Sequence, residues 1–458
     1  MSLDNFLRDS RARFEAELAE FLAIPSVSAR SEHKPDMLRC AEWVKSKLEE
    51  QGMQTEVIPT AGHPVVYGEL MAAGPDAPTL LVYGHYDVQP VEPLDEWVTP
   101  PFEADVRDGN MYARGSADDK GQVHVHMKAL EAYRSAKGTP PVNLKYLIEG
   151  EEEVGSVNLE DFIRNNVDKL SCDAAVISDT PMLSPQHPSI TVGLRGMVYM
   201  EVRLTGPSQD LHSGQYGGAV VNPANALAGI IAKLKDESGR ITVPGFYDAV
   251  KDPSPAEKQA YADLPITEEI LRGETGAPAL GDGEAGVHFI ERVWTRPTLD
   301  VNGLLSGYTA EGAKTIIPAK AMAKISMRLV PDQDPNAIRA AFESYVRALK
   351  PEGVEMEIDF HAGALPWAVS PEGPVLQAAA NALEAVFGRP PLFIREGGSI
   401  PIVPMIEQIL DTPLLLLGFA LPGCNLHSPN EWLSLELYHK GIDVMTRAYD
   451  ELAVTLKP

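Results

Sequence analysis

Over residues 1 to about 190, short apolar runs such as TLLVYG, NLKYLIEG and DAAVISD alternate with stretches whose apolar positions recur at helical intervals. The opening MSLDNFLRDSRARFEAELAEFLAI spaces Phe6, Phe14, Leu18, Phe21 and Leu22 among charges, the pattern of an amphipathic helix. Further helices are predicted around 35–51 and after Gly121. Strands this evenly apolar are buried on both faces, so the pattern predicts an α/β layer with a mixed, largely parallel sheet flanked by helices.

After about Gly193 the texture changes. MVYMEVRLTG and KAMAKISMRLVP alternate apolar and polar residues, as half-exposed antiparallel strands do, and the helical stretches NPANALAGIIAKLKD and PNAIRAAFESYVRALK follow them. VEMEIDF closes a smaller α+β unit of ferredoxin-like type. Between its halves, roughly 244–298 is acidic, rich in Pro and Gly and without a clear period, which predicts a lid element. The helix VLQAAANALEAVFG and the strand PLLLLGFA then return to the first texture. The expected organisation is therefore a catalytic domain of 1–193 and 370–458, with an inserted lid and dimerisation domain of 194–369.

Composition narrows the partners. A chain of 458 residues with 44% apolar and 23% charged residues can bury several cores. Its 39 basic against 65 acidic residues give a net charge of −26, which excludes nucleic acid and anionic membrane as partners. Cys40, Cys172 and Cys424 are too few for a secreted disulfide scaffold. The most apolar run, PLLLLGFAL, is far shorter than the roughly 20 residues that span a bilayer. A cytoplasmic enzyme is expected.

Five segments end in metal-type ligands or acids: His85 and Asp87 after LLVYG, Asp118 in ARGSADDKG, Glu152 and Glu153 in LIEGEEEVGS, Asp179 after VIS, and His427 in NLHSPNE. Several of them follow a strand directly, and loops beyond the carboxyl ends of such strands form the ligand crevice of open α/β sheets. Two imidazoles and three carboxylates suit two divalent ions such as zinc or manganese, with one acid left over for chemistry. Paired ions activate water and polarise a carbonyl, and a free carboxylate moves the proton, so amide hydrolysis fits best. Asp87, two residues past His85, could accept the imidazole's other N–H. Cys424 and His427 have no second cysteine pair to complete a closed zinc site, and His124, His126, His187 and His288 read as structural.

GHYDVQP, RGSADDKG, EGEEEVGS, SDT and HSPNE, in this order and spacing, resemble the di-zinc exopeptidase family of carnosinase-type dipeptidases, aminoacylases, carboxypeptidase G and succinyl-diaminopimelate desuccinylase. The resemblance runs from IPSVS near residue 24 to the C-terminal helix, and DLHSGQYGG, GAKTIIP, RLVP and EGGSIP are similar to the carnosinase and cytosolic non-specific dipeptidase branch. It implies one ion held by His85, Asp118 and Asp179 and a second by Asp118, Glu153 and His427, zinc first, with manganese or cobalt as alternatives. Glu152 would be the general base; Glu151 precedes the EExGS core, and a shift of one residue would swap the roles. A cis peptide between Asp118 and Asp119 is also implied.

The resemblance further implies a homodimer in which His212 reaches the partner's site to stabilise the oxyanion, with Thr315 beside it. Arg328, Gly398 and Ser399 would hold the substrate's C-terminal carboxylate, and His361 is either a further member of that set or a structural loop histidine. The reading is a binuclear metallopeptidase cleaving short peptides, dipeptides first. Its rivals are an N-acyl-amino-acid deacylase or desuccinylase with the same metal site, and an inactive binding relative.

Overall fold

The computed structural model describes residues 1–281 and 283–456; Asp282, inside the acidic stretch, and the two C-terminal residues at the end of the expected catalytic domain lie outside the described residues. The chain divides into two compact units, Met1–Val192 with Val369–Ile394 and Ile402–Pro458, and Gly193–Ala368 with Arg395–Pro401. Arg395–Pro401, expected with the larger unit, clusters with the smaller one.

In the larger unit the strand order is Gln54–Ile58, Val65–Leu70, Asn143–Glu149, Thr79–His85, Ala174–Ile177, Leu414–Leu416, Ser189–Leu194. The four strands from Asn143–Glu149 to Leu414–Leu416 run parallel, and those outside them pair antiparallel. Every residue of Thr79–His85 and Asn143–Glu149 is buried, which is why these runs show no alternation. The helix Lys120–Lys137 packs against Leu3–Leu22 and Leu435–Thr455. His124 and His126 on it are structural: both are buried, at 2.8 Å from the Tyr438 hydroxyl and the Ser178 Oγ respectively.

The smaller unit carries a four-stranded antiparallel sheet in the order Thr298–Ser306, Lys320–Leu329, Gly196–Thr205, Glu355–Ala364. With the helices Pro223–Ile231 and Pro335–Leu349 the chain order is strand, helix, two strands, helix, strand, the ferredoxin-like arrangement. Val198, Met200, Val202 and Leu204 alternate into a core shared with Ile230, Ile325, Phe342 and Val346.

The stretch 244–298 is not structureless. It holds the helices Pro255–Ala262, Glu268–Thr275 and Phe289–Trp294. Ser254 and Glu257 form a reciprocal capping box, and Thr267 Oγ1 caps the next helix. Helices of six to eight residues make about two turns, too few to show a period. Among the described residues no helix is long and apolar enough to cross a membrane.

Candidate active site

All the metal-type residues lie in the larger unit. The strand Thr79–His85 ends by delivering His85, fully buried, into the space beyond the sheet. Its Nδ1 lies 3.1 Å from the main-chain carbonyl of Asp87, to which it donates, which leaves Nε2 as the nitrogen that faces Asp118. Nε2 is buried, makes no hydrogen bond and stands 3.1 Å from Asp118 Oδ1. On the other side of Asp118, Oδ2 lies 2.9 Å from His427 Nε2, which is also 3.3 Å from Glu153 Oε2. The Asp118–Asp119 peptide is cis.

Two groups of possible ligands result, His85, Asp118 and Asp179, and Asp118, Glu153 and His427; within each, one donor atom per residue lies within 4.8 Å of the others. They share Asp118. The donor set fits two divalent cations: a buried imidazole nitrogen without a hydrogen-bond partner and two carboxylates in one group, an imidazole and two carboxylates in the other. The electrostatics agree. Contact with Asp118 and Glu153 pushes His427 up to about 10, and burial, then the Asp118 charge, drives Asp179 well above the ordinary carboxylate range. Acids packed this closely call for positive charge, and cations would supply it.

The three successive glutamates separate. Glu151 is buried and accepts from Asn158 Nδ2 at 2.8 Å. Glu153 belongs to a ligand group, and Gln89 Nε2 donates to its Oε2 at 2.8 Å. Glu152 is in neither group; burial pushes its carboxyl up to about 7, with Glu153, Asp118 and Asp87 adding to the shift and His85 opposing it. Asp87 does more than face His85. Its carboxylate accepts the main-chain N–H groups of Glu152 at 3.2 Å and Glu153 at 3.1 Å, which sets how this turn presents its side chains.

The remaining predicted residues are in the smaller unit. His212 and Thr315 come together where Leu211–His212 pairs with Ile316–Ile317; both are exposed, and His212 Nδ1 accepts from Gly214 N at 3.0 Å. Arg328 Nη1 donates to Ser399 Oγ at 2.9 Å, and Gly398, exposed, has open space where a Cβ would stand. His361 sits at a strand irregularity with Nε2 3.3 Å from Glu201 and its ring tilted on Tyr199. Its contacts there are Glu201 and Tyr199 rather than the Arg328–Ser399 pair.

Sequence reasoning missed Gln89, Arg114 and Glu431. Each lies inside a motif already singled out, GHYDVQP, ARGSADDKG and HSPNE, but polar residues beside ligands carry no local sign of what they touch. Glu431 in particular is fully buried, with its carboxylate turned onto the segment that carries Asp118.

The sequence model of a family described as "Peptidase family M20/M25/M40" matches residues 81–451. The chain is 34% identical over 473 residues to the Cys-Gly metallodipeptidase dug1 of Schizosaccharomyces pombe, covering 99% of both chains. Human carnosine dipeptidase 1 superposes with a TM-score of 0.84 at 29% identity, covering 99% of this chain and 98% of that one. The M20 family metallo-carboxypeptidase Sso-CP2 of Sulfolobus solfataricus gives 0.85 at 34%, covering 96% and 99%.

Proposed function

The chain belongs to peptidase family M20/M25/M40, and from that premise we propose that it is a binuclear metallodipeptidase hydrolysing the amide bond of short peptides with a free C-terminal carboxylate. The observation that carries this reading is the pair of ligand groups joined through Asp118. His85, Asp118 and Asp179 would hold one ion and Asp118, Glu153 and His427 the other. Mixed imidazole and carboxylate donors favour zinc over manganese or cobalt. Bound there, two such ions would lower the pKa of a water toward neutrality and polarise the scissile carbonyl.

The protein's own residues do the rest. Glu152, left out of both ligand groups, takes the water's proton and passes it to the leaving amine. Asp87 holds the Glu152–Glu153 turn and the His85 ring. Arg328, steadied by Ser399 and next to the open backbone of Gly398, grips the substrate carboxylate in a two-pronged contact. The protein acts as a homodimer: exposed His212, with Thr315, stabilises the oxyanion at the partner's site. His361 is the weakest member of the carboxylate set, because Glu201 already engages it. Free Cys40, Cys172 and Cys424 fit a reducing cytoplasm.

Zinc-reconstituted protein assayed against dipeptides, tripeptides and N-acyl amino acids tests the reading. Dipeptides should give the highest kcat/KM. A preference for N-acyl amino acids would replace this function with deacylation.

A further inference from the structure

Glu431, four residues beyond His427, makes more hydrogen bonds than any other carboxylate around the candidate ligands. Its Oε2 accepts from Arg114 Nη1 at 2.7 Å and Gly115 N at 2.9 Å, and its Oε1 from Ala117 N at 2.8 Å and Asp118 N at 3.0 Å. Its main-chain carbonyl accepts from Ala113 N at 3.1 Å. The segment from Ala113 to Asp118 is thus wrapped around one side chain.

The fold explains the approach. Trp432–Ser434 pairs with Asn110–Tyr112, Trp432 opposite Tyr112, so the residues just beyond, Glu431 and Ala113, meet at the end of the ladder. The chain then turns sharply through Gly115, whose φ of 84° and close approach to Val88, 2.7 Å from where a Cβ would stand, leave room for no side chain. That turn points successive N–H groups at one place, and the Glu431 carboxylate fills it. Arg114 completes the cage. Its Nη2 reaches the Pro90 carbonyl at 3.2 Å and its guanidinium lies 5.5 Å from the Trp97 ring centroid. A carboxylate buried with a guanidinium and three amides is fully satisfied, and a group so fixed transmits its position to whatever it holds.

We propose that Glu431 is a positioning residue for the binuclear site, locking the loop that presents Asp118 to the loop that presents His427 so that both groups of ligands form around one carboxylate. It touches neither substrate nor ion. This rests on the reading of Asp118 and His427 as ligands.

The test is metal affinity, measured on the full-length, metal-stripped protein by competition with a chromophoric zinc chelator. Glu431→Gln, equal in size but bringing an amide N–H₂ against four donors, should keep its circular dichroism spectrum while its zinc affinity weakens about 10- to 100-fold, the usual effect of removing a group that orients a ligand. Glu431→Asp, which draws the carboxylate back by one methylene, should lie between it and the wild type. Wild-type affinity in either folded variant overturns the proposal. Failure of both variants to fold without metal also overturns it, since the role would then be to build the fold. Asp118→Ala in the same assay separates the two readings: if it keeps both ions tightly, the ligand assignment itself is wrong, whereas Glu431→Gln alone keeping them refutes only the positioning role.

Discussion

His85 Nε2 stands 3.1 Å from Asp118 Oδ1 without hydrogen-bonding to it. A buried ring nitrogen and a carboxylate oxygen that close converge on something positive between them, a proton or a metal ion. On its other side Asp118 Oδ2 lies 2.9 Å from His427 Nε2, within hydrogen-bond distance.

Asp118→Ala should therefore be more damaging than loss of either histidine, because it removes a ligand from both groups. Elemental analysis should find less than one tightly held ion per chain in Asp118→Ala and about one in His427→Ala. Two ions retained in Asp118→Ala would end the bridging assignment.

Glu152→Gln should keep both ions while kcat falls by about two to four orders of magnitude, the scale of a lost general base. Glu153→Ala should lose an ion, since Glu153 and not Glu152 belongs to a ligand group. The reverse pattern would show that the turn held by Asp87 is read one residue out of frame.

Arg328→Lys should raise KM for dipeptides about tenfold or more and leave C-terminally amidated substrates nearly unchanged, because an ammonium cannot reproduce a planar two-pronged contact. Equal effects on both substrate types would mean that Arg328 serves the Ser399 loop and not the carboxylate.

His212→Ala and Glu152→Gln should each be nearly inactive as homodimers, the first for want of an oxyanion donor worth about 3 kcal/mol. A heterodimer of the two, purified through differential tags, should regain about half of wild-type activity per dimer if His212 acts across the interface: one site then has both groups intact and the other neither. A heterodimer as inactive as its parents would mean that His212 works within its own chain or only structurally.

The periodicity of the chain determined the layers. Short, mostly apolar runs without alternation read as strands covered on both faces, as Thr79–His85 and Asn143–Glu149 are. Alternating runs could only be half-exposed, as Gly196–Thr205 and Lys320–Leu329 are. The kinds of ligand, and their places after strands, were equally legible, because imidazole and carboxylate chemistry belongs to the residue. What only the tertiary structure decided is which neighbour faces which. Three glutamates in a row are alike in sequence; Asn158 takes Glu151, while Asp87, from another strand's end, fixes the backbone of Glu152 and Glu153. Glu431 reaches Asp118 across 313 positions, a contact with no local trace. Local propensity sets the backbone of an element, but the direction of a side chain in a turn is set by hydrogen bonds that arrive from elsewhere in the fold.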